Sequence, residues 1–132
     1  MDAVNGPVAE GSLERQVLGG RSGALRTIKI VHTIVWAFLA ACIFAIPLAS
    51  GWGRHRLAAG LAAIVALEVG VLAFNHGRCP LTALAGRHTE DRRENFDIYL
   101  PEWLAKRNKV IFGTLYAVAT VLALARWAFA AN

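Results

Sequence analysis

Between Lys29 and Arg54 the chain carries no Asp, Glu, Lys or Arg, and almost every position is aliphatic or aromatic. An α-helix rises about 1.5 Å per residue, so a run of this length crosses a hydrocarbon core of about 30 Å. The pattern predicts a first transmembrane helix over about residues 28–49, with Pro47 near its far end and Trp52 at the interface. Gly51 to Arg56 form a tight connection that sends a second span back over about residues 57–76, charge-free except for Glu68. A third span follows over about residues 109–129. After Lys109 its only charge is Arg126, which can snorkel outward beside Trp127.

The stretch 77–107 has a different pattern. Arg87, Glu90, Asp91, Arg92, Arg93 and Glu94 are solvated, and then Phe96, Tyr99, Leu100, Trp103 and Leu104 repeat at helical spacing. Pro101 suits the first turn of a short helix over residues 101–107. The expectation is an interfacial loop, residues 77–107, carrying a short amphipathic segment with its aromatics in the headgroup region. Residues 1–24 contain Gly6, Pro7, Gly11, Gly19, Gly20 and Gly23 among mixed charges, which predicts a flexible cytoplasmic tail with a turn of helix around Leu13 to Leu18. The predicted fold class is therefore an all-α membrane protein, with residues 25–132 forming one three-span membrane domain.

Composition agrees with this pattern. The 132 residues leave room for one domain, and 56% of them are hydrophobic while only 17% are charged. The net charge of +5 does not point to nucleic acid, because the basic residues flank apolar spans rather than lining one face. Eleven of the 14 lysines and arginines fall on the side of the N-terminus and long loop; Arg54, Arg56 and Arg126 fall on the other. That asymmetry predicts a cytoplasmic N-terminus and loop, with the C-terminus outside. Cys42 lies inside a span and Cys79 beyond the end of another, so both thiols are expected to be reduced and unpaired.

The polar residues of the spans share one level. With that topology His32, Glu68, Thr114 and Tyr116 fall roughly 5–12 Å below the cytoplasmic surface, with Asn75, His76 and Cys79 just above them. A carboxylate in lipid must face the bundle, pair with a cation or bind a proton. Glu68 is therefore the candidate catalytic or ligand-binding residue, with His32 and Tyr116 as its expected partners, and a purely structural hydrogen bond as the plain alternative. His32, Glu68, Asn75 and Tyr116 form the expected polar cluster. The i, i+3 pair His76 and Cys79, with His32, makes a candidate metal or haem set, although a closed zinc site wants four ligands. Along the second span Ala59, Ala63, Ala66 and Gly70 form a small-residue stripe suited to close helix approach, opposite the stripe of Glu68, Leu72 and Asn75.

His32 in the first span, Glu68 in the second, Cys79-Pro80-Leu81-Thr82 where the second span ends, and Tyr99-Leu100 in the loop resemble a family of small bacterial integral membrane proteins known as a domain of unknown function. The resemblance covers roughly residues 28–130 and implies the same three-span layout in a bacterial inner membrane. It names no reaction. From the residues themselves the leading expectation is a non-enzymatic accessory or assembly component, working as a homo-oligomer or within a larger membrane complex. The alternatives are a metal- or haem-binding redox protein using His32, His76 and Cys79, and a membrane enzyme acting on a lipid or quinone.

Overall fold

In the computed structural model the described residues are 7–132, with side chains from Gly11 onward. They form four helices: α1, Pro7–Gly51; α2, His55–Phe74; α3, Pro80–Ala85; and α4, Glu102–Ala130. There is no strand among the described residues. Three of the helices, α1, α2 and α4, are long and apolar enough to cross a membrane. The protein is an all-α, three-span fold with one additional short helix.

Helix α1 runs 45 residues, about 67 Å, and contains the whole of the expected first span. It also absorbs residues 7–24, where the sequence suggested a flexible tail; residues 1–6 lie outside the described residues. The reason is propagation. A long apolar helix supplies the nucleus, and Leu13, Glu14, Arg15, Gln16 and Leu18 are good helix formers that extend it past the glycines. Pro7 stands at the first turn, where its missing N–H costs nothing.

The α1–α2 turn follows from Gly53, whose φ of +72° lies in the left-handed region. Gly53 N–H donates to the Ser50 carbonyl (3.1 Å) and Arg54 N–H to that of Ala49 (2.9 Å), a Schellman motif that satisfies the last carbonyls of α1. Helix α2 ends at Phe74 in the same way. His76 (φ +56°) and Gly77 (φ +76°) are both left-handed, and Gly77 N–H reaches back to the Leu72 carbonyl at 2.6 Å.

Helix α4 departs from expectation. It begins at Glu102 and continues unbroken into the third span, so no separate surface helix precedes it. Pro101 starts it, its carbonyl accepting from Leu104 (3.0 Å) and Ala105 (2.9 Å). No glycine or proline then interrupts the chain before Gly113. The apolar repeat from Phe96 to Leu104 is divided at that proline, and Phe96–Leu100 are turns and bends rather than helix.

Helix α1 is central and packs against α2, α3 and α4, while α2 and α4 touch each other less. The core is Cys42, Ile43 and Val65, closed by Leu39, Leu61, Phe112, Leu115 and Tyr116. Ala58 and Ala119 are buried where helices approach closely. Most span residues face outward instead: Leu67, Phe74, Val110 and Phe129 are each more than 70% exposed. Such apolar surface matches hydrocarbon as its solvent. The stripe of Ala59, Ala63 and Ala66 also faces out; α2 meets its own bundle through Ala58, Leu61, Val65 and the face bearing Glu68. At the far end Arg126 turns inward, its Nη1 donating to the Pro47 carbonyl at 2.7 Å. The expected outward reach beside Trp127 gives way to capping the C-terminal end of α1, where a cation is favoured.

Candidate functional site

At the other end of the bundle the connection from Asn75 to Pro101 folds over the helices. Its anchor is His32, on the inward stripe of α1 that continues through Leu39, Ile43 and Ile46. The imidazole Nδ1 lies 3.1 Å from the backbone carbonyl of Asp97 and 3.1 Å from its carboxylate Oδ2. Both neighbours are acceptors, so Nδ1 carries a proton and donates to them. Thr82, in α3, donates its hydroxyl to the same Oδ2. The Asp97 side chain is only 6% exposed. Burial pushes its carboxyl upward, but the hydrogen bonds from His32 and Thr82 outweigh that and hold it below the usual carboxylate range.

Neighbouring contacts fix the loop to the same turn of α1. Tyr99 N–H donates to the Thr33 hydroxyl at 3.0 Å, and that hydroxyl donates to the Lys29 carbonyl at 2.7 Å. The Lys29 ammonium stands 5.1 Å above the Tyr99 ring. One turn further along, Trp36 Nε1 donates to Asn108 Oδ1 (2.8 Å) and meets Phe112 edge-on, the ring centroids 5.3 Å apart. Within the loop, Asn95 Nδ2 donates to the Leu100 carbonyl at 2.8 Å. Asp91 is held at a pKa of about 2 by its hydrogen bonds with Arg93. Elements distant in sequence thus meet at one polar seam.

Beneath the seam lies a cavity of about 860 Å³. Leu39, Ile43, Val65, Leu72 and Phe112 give it apolar walls, while Arg78, Arg87, Lys109 and the Arg92–Arg93 pair line its mouth. His32, Glu68, Cys79, Thr82, Asp97 and Tyr116 line the same space. The Cys79 carbonyl accepts from the Thr82 N–H at 2.9 Å. Cys79 stands directly before α3 with an extended backbone (φ −65°, ψ 140°), and Pro80 opens that helix.

The expected cluster is therefore gathered in part, with different partners. His32 pairs with Asp97, and Tyr116 donates to the Ala62 carbonyl at 2.9 Å. Glu68 makes no hydrogen bond or ion pair among the described residues, and its half-buried carboxylate opens on the cavity. Asn75 leaves the cluster: its Nδ2 donates to the Arg78 carbonyl at 2.7 Å and closes a local turn. His76 is exposed, does not line the cavity, and serves as a left-handed terminator of α2. Of the Cys-Pro-Leu-Thr motif, Cys79 and Thr82 face the cavity; Pro80 and Leu81 do not line it. No three His, Cys, Asp or Glu side chains converge with metal-ligand geometry among the described residues. Asp97 is the site residue that sequence reasoning missed. Its signal was a lone carboxylate within the apolar run Phe96-Asp97-Ile98-Tyr99-Leu100, on the same side of the membrane as His32.

Compared with protein-family models, with curated proteins and with solved structures, the chain matches none.

Proposed function

We propose that this chain is a small multi-pass protein of a bacterial inner membrane that binds an amphiphilic, anionic-headed molecule in its cytoplasmic-leaflet cavity. The observation that carries the reading is the cavity itself. Its volume of about 860 Å³ suits a lipid-sized ligand, its walls are apolar, and its mouth carries Arg78, Arg87 and Lys109. None of these three side chains has a hydrogen bond or ion pair within the chain among the described residues, so all are available to an anion. The lysine and arginine asymmetry supports a cytoplasmic position for the mouth. The likeness to the small bacterial membrane family, carried by His32 and Cys79 to Thr82, supports the choice of membrane.

Diazirine-bearing palmitic acid, photolysed with the protein in mild detergent, tests this reading. Labelling is expected on the α1 and α2 segments around Val35–Leu39 and Val65–Leu72, reduced about tenfold by Arg78→Ala with Lys109→Ala, as expected for charge-assisted contacts. Even labelling of the outward residues Phe44, Leu67 and Val121 would show ordinary boundary lipid and sink the proposal.

A second reading, assembly with another membrane helix, has one observation in its favour. Ala59, Ala63 and Ala66 form a small-residue face that the chain's own helices leave uncovered. Crosslinking of Ala63→Cys in native membranes checks it, and a purely monomeric product counts against a second copy as the occupant.

A further inference from the structure

The polar seam contains the parts of a thiol relay. A nucleophile needs a base within reach and a third group to hold that base in the correct tautomer. Asp97 meets the last requirement: its carboxylate and its own carbonyl both take the Nδ1 proton of His32, each at 3.1 Å. Thr82 in turn holds the carboxylate. Cys79 is tied to Thr82, whose N–H donates to its carbonyl at 2.9 Å, and it shares the cavity with all three. The other thiol, Cys42, is buried in the core away from the cavity lining, so the arrangement is particular to Cys79.

Resting on the amphiphile-binding reading, we propose that Cys79 is an acyl-accepting nucleophile, with His32 Nε2 as its base and Asp97 as the positioning residue, acting on a long-chain carboxylic ester or thioester. In the first half-reaction Nε2 takes the thiol proton, sulfur bonds to the acyl carbon, and the bond from that carbon to the leaving oxygen or sulfur breaks. The leaving atom collects the proton from Nε2. In the second half, water or an acceptor hydroxyl gives its proton to Nε2 and bonds to the acyl carbon; the C–S bond breaks and the thiolate is reprotonated. The sequence balances without an oxidant or reductant. The cavity receives the chain of the substrate, and the cations at its mouth meet the polar end.

The test uses the full chain in mild detergent with p-nitrophenyl palmitate, following nitrophenolate release and mapping the adduct by mass. A hydroxylamine-labile palmitoyl group on Cys79 is expected, absent in Cys79→Ala and unchanged in Cys42→Ala. Asp97→Asn should slow its formation at least ~100-fold, the usual share of an aligned base. Thr82→Val is the second variant, with about tenfold slowing, one hydrogen bond's worth. Photolabelling with diazirine palmitate checks that each variant keeps its cavity. An adduct forming equally fast in Asp97→Asn and Thr82→Val would be the intrinsic reactivity of an accessible thiol and would overturn the relay. Cavity labelling without any adduct would overturn the relay and leave amphiphile binding standing. Loss of both in the wild-type chain would overturn the two together.

Discussion

His32 and Asp97 are 65 residues apart in the chain, yet the imidazole Nδ1 of one touches both the carboxylate and the carbonyl of the other. Among the described residues no other pair joins α1 to the loop by two acceptors on one donor. Removing the carboxylate with Asp97→Ala leaves the His32 Nδ1–H with the backbone carbonyl alone and the Thr82 hydroxyl short of its partner. The expected loss is about 1–3 kcal/mol, the cost of unsatisfied buried donors. Thermal unfolding in detergent measures it, and a cycle with His32→Ala should return a coupling of about 0.5–3 kcal/mol. Strict additivity would dissolve the pair as a stabilising unit.

The same pair sets an acid limit. The Asp97 carboxyl is held below the ordinary range in the folded chain, whereas an unfolded aspartate ionises near pH ~3.9. Its contribution is therefore present above that pH and disappears as pH falls through the lower folded value. Stability should be flat with respect to this group near neutrality and should decline below pH ~4. In Asp97→Asn that acid limb should shrink, which melting temperature against pH reads directly.

Glu68 offers the opposite sign. Its carboxylate has no hydrogen-bond or ion-pair partner among the described residues, and at membrane depth such a group carries a desolvation cost. Glu68→Leu should hold or raise stability, by about 1–2 kcal/mol, while altering what the cavity accepts. If Glu68 served as a structural hydrogen-bonding residue, the substitution would lower the melting temperature instead.

His76 should behave as a turn residue. Its φ of +56° is costly for a side chain with a Cβ, so His76→Gly is expected to stabilise by about 0.5–1 kcal/mol. His76→Val, branched at Cβ, should destabilise by a similar amount. A ligand role would predict that the glycine variant loses a bound metal or haem; absorption spectra and metal content of the two proteins decide between them.

The three spans were legible because lipid demands charge-free runs of fixed length, and Lys29 to Arg54 supplies one outright. Less was visible wherever local signals compete with context. The glycines of residues 11–23 argue for a loose tail, but each costs only about 1 kcal/mol in a helix already nucleated by the span beyond. Pro101 marked a helix start correctly in position and left its length open, since nothing in Glu102 to Phe112 stops the helix. Depth arguments put His32, Glu68 and Tyr116 around one cavity. They could not select partners, because His32 meets Asp97 only through the fold of the loop, a tertiary fact without a local period. The small residues of α2 satisfied the spacing for close packing but did not say against what.

The connection between His32 and Asp97 also orders events in time. During synthesis α1 emerges first, and Asp97 can reach it only after α2 has crossed back and the loop has followed. Closing so long a segment is entropically late, so the seam belongs to the final step of folding rather than to its nucleus. Weakening it therefore speeds unfolding and leaves the rate of assembly almost untouched. A substitution that weakens the seam is expected to shorten the half-life of the folded protein.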